Sequence, residues 1–338
     1  MKTNIGTLLL TAVVALPAMI QAQPVYTPPV GFVSVTIPAN SDAAIGAPLS
    51  RADEFVGVVE SISSNVITLA GTPNFTVNQF VYASGTQPKT YFLRVDSDTK
   101  EGMILKVESN TANSVTVTIP AGESLAGILT NAVDNTGSAV SISPYWTPST
   151  LVTGVLAGTQ ILRYPTNVAG TNLATSSTYT FNGTNWLQGV TNVNDLTFNP
   201  GEGFTLRNNS TTTQQTISIT GAVPMTGVRS RFYTLAANTT QDQRIFYNSP
   251  VPEVIGNVFP PAALVAGDRL LAFNNAATGK NKSASTTLIW NGTNWLQGVT
   301  VVTTTYQLQP GTSYVFRKNQ TGANPTSVVW SDLQSYLQ

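Results

Sequence analysis

The chain has neither histidine nor cysteine. Without histidine there is no Ser-His-Asp triad, no imidazole base and no histidine metal ligand. Without cysteine there is no thiolate nucleophile, no cysteine metal site and no disulfide. Charge is scarce as well. Asp, Glu, Lys and Arg make up 9% of 338 residues, against roughly 25% in an ordinary soluble domain. The catalytic chemistry left open is a carboxylate pair, as in glycoside hydrolysis. Asp53-Glu54 and Asp96/Asp98 are the closest acidic pairs, and each reads as a solvated turn. Asp96–Gly102 begins like a calcium loop. Lys100 then falls where that pattern wants Asp or Asn, and the glycine comes one residue late. Lys100 is expected to pair at the surface with Asp98 or Glu101. No phosphate loop and no dinucleotide fingerprint is present, so no cofactor is expected.

Sixteen basic residues balance sixteen acidic ones. That balance leaves no footprint for nucleic acid or anionic lipid. The densest basic groups are the pairs Arg229/Arg231 and Lys280/Lys282. Long apolar runs are missing beyond the N-terminus, where none approaches the roughly 18 residues of a spanning helix. The N-terminus itself reads as a secretory leader: Lys2, the apolar stretch Ile5–Ile20, and Ala22 before a cleavage point at Gln23. The expectation is therefore a secreted or cell-surface protein, exported across the inner membrane, with no membrane span after cleavage.

What the chain does have is strand signal. Ser114–Ile119 alternates Val115, Val117 and Ile119 with threonines, the period of a half-buried strand. Gly, Pro and Asn clusters punctuate the chain about every ten residues. The best helix candidate is Ser331–Gln338, with Ser331 as N-cap. The expected fold class is all-β, with two tandem sandwich or barrel-like units.

An internal repeat organises these strands. Leu156–Val190 aligns with Val265–Val299 without a gap at an offset of 109. Tyr164 meets Phe273, Gly170 meets Gly279 and Phe181 meets Trp290. After one inserted residue, Pro200-Gly201 meets Pro310-Gly311 and Arg207 meets Arg317. A weaker echo relates Val35–Asn40 to Tyr233–Asn238. The expected organisation is a leader at 1–22, a Pro-rich linker at 23–31, a first β-unit at 32–224 and a second at 225–338. The first unit carries an inserted β-subdomain at 57–147 and repeat copy one at 156–220. The second carries copy two at 265–330.

Several segments in the first unit go together: GFVSVTIPANSD (31–42), PNFTVNQFVYASGTQPKTYFLRVDSDTKEG (73–102), VESNTANSVTVTIPAGESLAGI (107–128), SISPYWT (141–147) and YTFNGTNW (179–186). In this order the chain resembles an uncharacterised family of exported bacterial proteins, over most of residues 31–209. The resemblance implies export and a shared β-architecture, and no activity.

The decamer NGTNWLQGVT occurs at Asn182–Thr191 and again at Asn291–Thr300. Asn-Gly between β-formers predicts a two-residue type I′ hairpin. In that register Phe181 faces Thr184 and Tyr179 faces Trp186, and in copy two Trp290 faces Thr293. Three roles compete for Trp186 and Trp295: anchors of the core, exposed platforms that stack on a sugar with Asn185 and Asn294 beside them, or aromatics at a self-association interface. The functional expectation is a non-enzymatic structural protein of the surface or matrix that associates with copies of itself or with other surface components. The alternatives are a carbohydrate-binding or adhesion module and, lastly, a carboxylate-based glycoside hydrolase.

Overall fold

Alternation of Val, Ile and Thr turns nearly the whole molecule into strands. The computed structural model describes residues 29–131, 136–320 and 322–338. The predicted leader, and all of the linker but residues 29–31, lie outside them. Strands take 41% of residues and helices 6%, so the protein is all-β. Among the described residues no helix is long and apolar enough to cross a membrane.

In chain order, β1 (Val30–Ile37) and β2 (Ser41–Ile45) open the first unit. Then come β3 (Phe55–Ser63), β4 (Val66–Leu69), β5 (Tyr91–Val95), β6 (Ile104–Asn110), β7 (Ser114–Thr118) and β8 (Ala139–Pro144). These six close into a barrel in the order β3-β4-β7-β6-β5-β8. Closure leaves no free sheet edge. Its interior holds Val59, Ile67, Leu93, Leu105, Val115 and Ile142. Sequence analysis places an insert at 57–147; the barrel strands span residues 55–144.

The first unit resumes with β9 (Gln160–Arg163), β10 (Ser177–Phe181), β11 (Trp186–Gln188), β12 (Thr191–Asn192), β13 (Phe204–Asn208) and β14 (Gln215–Ala222). Six strands form a sheet in the order β12-β11-β10-β9-β13-β2, and β1 pairs with β14 as a separate ribbon. Val35, Ile37, Ile217 and Ile219 on the ribbon's inner face pack into the core with Ile161, Trp186 and Phe204. Ser34–Ser218 and Thr36–Thr216 hydroxyl pairs line its outer face. Val30 and Gly31 belong to β1, so the expected linker ends earlier than residue 31.

The second unit repeats this plan. It consists of β15 (Val228–Tyr233), β16 (Gln241–Phe246), β17 (Glu253–Val254), β18 (Arg269–Ala272), β19 (Thr286–Trp290), β20 (Trp295–Gln297), β21 (Thr300–Val301), β22 (Gln307–Leu308), β23 (Ser313–Lys318) and β24 (Ser327–Asp332). Its sheet runs β16-β23-β18-β19-β20-β21, and β15–β24 is its ribbon. The registers fix the correspondence between units. Arg207 faces Asp42 across β13–β2, and Arg317 faces Asp242 across β23–β16. Strand β2 therefore matches β16 at an offset of 200.

Three expectations need correction. The C-terminus is not helical from Ser331: β24 runs to Asp332, and one 3₁₀ turn follows at Ser335–Leu337. Lys100 pairs with Glu123 at 3.2 Å, not with Asp98 or Glu101. The decamer hairpin has a four-residue loop. Phe181 pairs with Trp186 and Trp290 with Trp295. Asn182 Oδ1 accepts from the backbone N–H of Thr184 and Asn185 at 2.9 and 2.8 Å, and Asn291 does the same in copy two. The asparagine side chain thus builds an Asx turn, a local option that competes with the type I′ hairpin.

The two units meet by exchanging loops. Asp42 N–H donates to Gly279 O at 3.0 Å, and Asp242 N–H donates to Gly170 O at 2.9 Å. Arg207 forks onto Asp42 at 2.7 and 2.9 Å and reaches Asn281 Oδ1 at 2.6 Å. Arg317 forks onto Asp242 at 2.7 and 2.9 Å and reaches Asn172 Oδ1 at 2.8 Å. Asn172 and Asn281 sit at φ of 54° and 51°, which asparagine tolerates better than most residues. Each N–H then donates to the carboxylate of the opposite unit at 2.7 Å. Reciprocal contacts of equivalent residues are what a two-fold axis requires. Here both halves belong to one chain.

Candidate functional site

The proposed binding tryptophans are core residues. Trp186 is 1% exposed and Trp295 0%. Each is held by its cross-strand aromatic partner, with ring centroids 5.3 Å apart for Phe181–Trp186 and 5.7 Å for Trp290–Trp295. Neither offers a ring face to a ligand. Asn185 and Asn294 serve the same hairpins. Asn185 Oδ1 accepts from Asn194 Nδ2 at 2.7 Å, while Asn194 Oδ1 receives the Trp186 N–H. Asn294 Oδ1 accepts from Thr303 Oγ1, which in turn receives the Trp295 N–H at 2.9 Å. Burial of both rings leaves no face for a sugar or for a partner subunit, and that decides for the core role.

The acidic pairs found in the sequence are also engaged. Glu54 accepts from Lys89 and Tyr91, both at 2.6 Å. Arg94 lies 2.6 Å from Asp96 and 3.5 Å from Asp53. Asp98 accepts from Ser97 and Ser138 at 2.7 and 2.8 Å. Among the described residues no group of three or more Asp and Glu side chains could hold a metal ion.

A cleft of about 610 Å³ lies between the two units. That lies within the range of small-ligand sites, roughly 300–1,000 Å³. The first unit contributes Arg163, Tyr164 and Glu202. The second contributes Arg229 and Arg231 from β15, and Gln243 and Arg244 from β16. Alternation along β15 sends Arg229, Arg231 and Tyr233 to one side, so the pair noted in the sequence lies on one wall.

Two of the four arginines are neutralised. Arg163 forks onto Glu202 at 2.6 and 2.7 Å. Burial opposes its charge, but the carboxylate outweighs burial and raises its pKa above the ordinary value. Arg229 forks onto Glu123 of the barrel at 2.6 and 3.1 Å. Arg231 and Arg244 form no ion pair among the described residues. Each lies against a tyrosine instead. The Arg231 guanidinium is 4.5 Å from the centroid of Tyr233, whose hydroxyl donates to Thr166 O at 2.8 Å. Arg244 is 4.3 Å from Tyr164 and 5.0 Å from Phe273. Its Nε and Nη1 are shut off from solvent and find no hydrogen-bond partner. Burial pulls its pKa below the ordinary arginine value, and Tyr164, Asp242 and Asp42 only partly offset this. A cation held this way is stabilised by any anion that reaches it.

Tyr164 and Phe273 are equivalent residues of the two units, so Arg244 sits at the two-fold seam. On the other side the same position is closed. There Ala44 stands for Arg244 and Asn275 for Thr166. Asn275 Oδ1 accepts the Ala44 N–H at 2.8 Å and its Nδ2 donates to Ala44 O at 2.9 Å. Gly311 rests on Val33 and Val35, the counterparts of Arg231 and Tyr233; a Cβ there would lie 3.1 Å from each. The equivalents of Arg163, Arg229, Arg231 and Arg244 are Ala272, Gly31, Val33 and Ala44. The duplicated fold forms without arginine at any of the four.

No family model, curated protein or solved structure matches this chain. The internal duplication is therefore the comparison that bears on the cleft. Sequence reasoning registered Arg229/Arg231 as a basic pair and aligned Tyr164 with Phe273. It missed Arg244, because the signal emerges only when SDAAIGA (41–47) is set beside QDQRIFY (241–247).

Proposed function

We propose that this chain is an exported, non-enzymatic binding protein that holds an anionic ligand in the cleft between its units. The observation that carries this reading is the broken symmetry of the seam. Four arginines face the cleft on one side, and small or apolar residues occupy all four equivalent positions on the other. Arg231 and Arg244 supply the uncompensated charge. Among the described residues that line the cleft the one carboxylate, Glu202, is committed to Arg163, which supports binding over hydrolysis by a carboxylate pair. Trp330 lines the cleft and provides a fluorescence probe. Titration of the mature protein with citrate should change that emission saturably and weaken with salt. Arg244→Gln should reduce the affinity at least tenfold. An unchanged affinity would remove the cleft from consideration.

The self-associating surface protein remains a second reading, and one observation favours it. Strands β12 and β21 are the outer edges of the two sheets. Beside each, a valine of the decamer is almost fully exposed, Val190 at 98% and Val299 at 96%. Light scattering of the wild type and of the Val190→Ser/Val299→Ser double variant tests it. Association lost in the double variant supports the reading, and a monodisperse wild-type monomer at high concentration removes it.

A further inference from the structure

We infer that the anion taken by the cleft is a linear acidic oligosaccharide whose charge is carried by uronate carboxylates. This inference rests on the anion-binding reading above and narrows it to one ligand class. Three observations carry it.

The first is size. A volume of 610 Å³ equals roughly twenty waters at about 30 Å³ each. A single sulfate or phosphate would fill a small part of it. The second is charge. Two of the four arginines are already neutralised by Glu202 and Glu123, which leaves two free cations. A ligand with one or two negative charges over this length suits them. A nucleic acid brings one phosphate per nucleotide, and a chain whose overall charge is balanced gives it no long-range attraction.

The third is how each free cation is mounted. Arg231 lies on Tyr233 and Arg244 on Tyr164. Arg231 sets a half-buried cation beside a phenol ring, so charge and apolar surface are offered together, and Arg244 lies deeper in the wall, with its Nε and Nη1 shut off from solvent. A uronate residue presents the complement: a carboxylate attached to a ring with apolar C–H faces and hydroxyl edges. Around the two pairs the cleft is lined by neutral hydrogen-bonding groups, among them Asn167, Ser176, Ser177, Asn199 and Gln243. Such groups match hydroxyls better than further charge. Gln243 braces this wall. Its Oε1 accepts the Tyr233 N–H at 2.9 Å and its Nε2 donates to Arg231 O at 3.1 Å.

Isothermal titration of the full mature chain tests the assignment. The probes are a tetrasaccharide of alternating uronic acid and neutral sugar, which carries two carboxylates, its methyl ester, citrate, an Asp/Glu-rich peptide and a single-stranded oligonucleotide. The expected result is binding of the tetrasaccharide and at least a tenfold loss on esterification. Arg231→Gln and Arg244→Gln should each weaken binding tenfold or more. Tyr233→Phe should not; it keeps the ring and removes only the hydroxyl bonded to Thr166. Thermal melting of each variant checks its fold, and Arg231, being half-buried, gives a usable variant even if the Arg244 change unfolds the chain. If citrate, the peptide or the oligonucleotide binds through Arg244 while the tetrasaccharide does not, the saccharide assignment is overturned and the anion reading stands. If no anion binds, both are overturned.

Discussion

Strands β2 and β16 do the same structural work with different residues. Both place an aspartate on an arginine fork and both are capped by a loop from the opposite unit. After the shared aspartate, β2 continues Ala-Ala-Ile-Gly-Ala and β16 continues Gln-Arg-Ile-Phe-Tyr. The small residues let β2 approach the seam closely. Phe246 lies over Gly46, where a Cβ would fall 2.2 Å from its ring. The backbones meet alike on both sides, Gly46 N–H donating to Gly311 O at 3.2 Å and Phe246 N–H to Gly201 O at 2.9 Å, and the side chains of β16 line the cleft. The difference teaches that the two sides of the seam share the Asp–Arg–Asn clamp and diverge beyond it, where one side carries the arginines of the proposed site.

The units also differ inside. At equivalent positions the first unit has Asn208 and Thr159, joined through Gln215 into a neutral network. The second has Lys318 and Asp268, a fully buried ion pair at 2.7 Å.

The comparison can be broken most severely at the residues both units share. Trp186→Ala and Trp295→Ala should each cost about 3–5 kcal/mol in denaturant unfolding, by the cavity left in the core. A folded double variant that had lost only ligand binding would revive the exposed-platform role.

The next largest effect separates the two buried networks. Lys318→Met leaves Asp268 as an unpaired buried charge, an expected loss of about 3–5 kcal/mol. Asn208→Ala removes neutral hydrogen bonds and should cost less, about 1–3 kcal/mol. Equal losses in urea titrations would show that the two networks contribute alike. A smaller effect is expected at the seam. Gly46→Ala should cost about 1–3 kcal/mol by overpacking against Phe246, and that cost should largely vanish when it is measured in a Phe246→Ala background.

The smallest effect is a pH dependence at Asp332 of the second unit. Burial raises the Asp332 pKa from 3.8 to about 6, and nearby Glu253 adds to this while the Tyr247 hydroxyl opposes it. The folded state therefore holds a proton that the unfolded chain releases. Stability falls as pH rises from about 4 through 6, because the native state binds more protons there. Asp332→Asn should melt higher than wild type at pH 7.5, by about 1 kcal/mol given the residue's solvent contact. The difference should close below pH 4. A variant less stable than wild type at pH 7.5 would contradict the assignment.

The all-β class was legible in the sequence because period-2 alternation is local. So was the pairing of Arg207 with Arg317 as equivalents, since the repeat is nearly gapless there. The partners of those arginines were not. Asn172 bonds Arg317 across 145 residues and across the seam, and no local pattern says which unit's loop caps which strand. The decamer misled in a specific way: Asn-Gly carries both the type I′ and the Asx-turn signal, and the side-chain bonds of Asn182 and Asn291 decide for the second. The cleft was hidden because its walls come from seven separated places in the chain, between Arg163 and Trp330. Only the clamp register, which aligns Asp42 with Asp242, exposes Arg244 as an added residue.

That added residue gives the most direct test. Arg244→Ala installs the first unit's own residue, Ala44, at the equivalent position. Titration of wild type and variant with the tetrasaccharide of alternating uronic acid and neutral sugar, beside their melting curves, compares the two states of the seam in one fold. The account predicts that the variant melts no lower than wild type and loses binding by tenfold or more. Undiminished binding would contradict the claim that the broken symmetry at Arg244 makes the site.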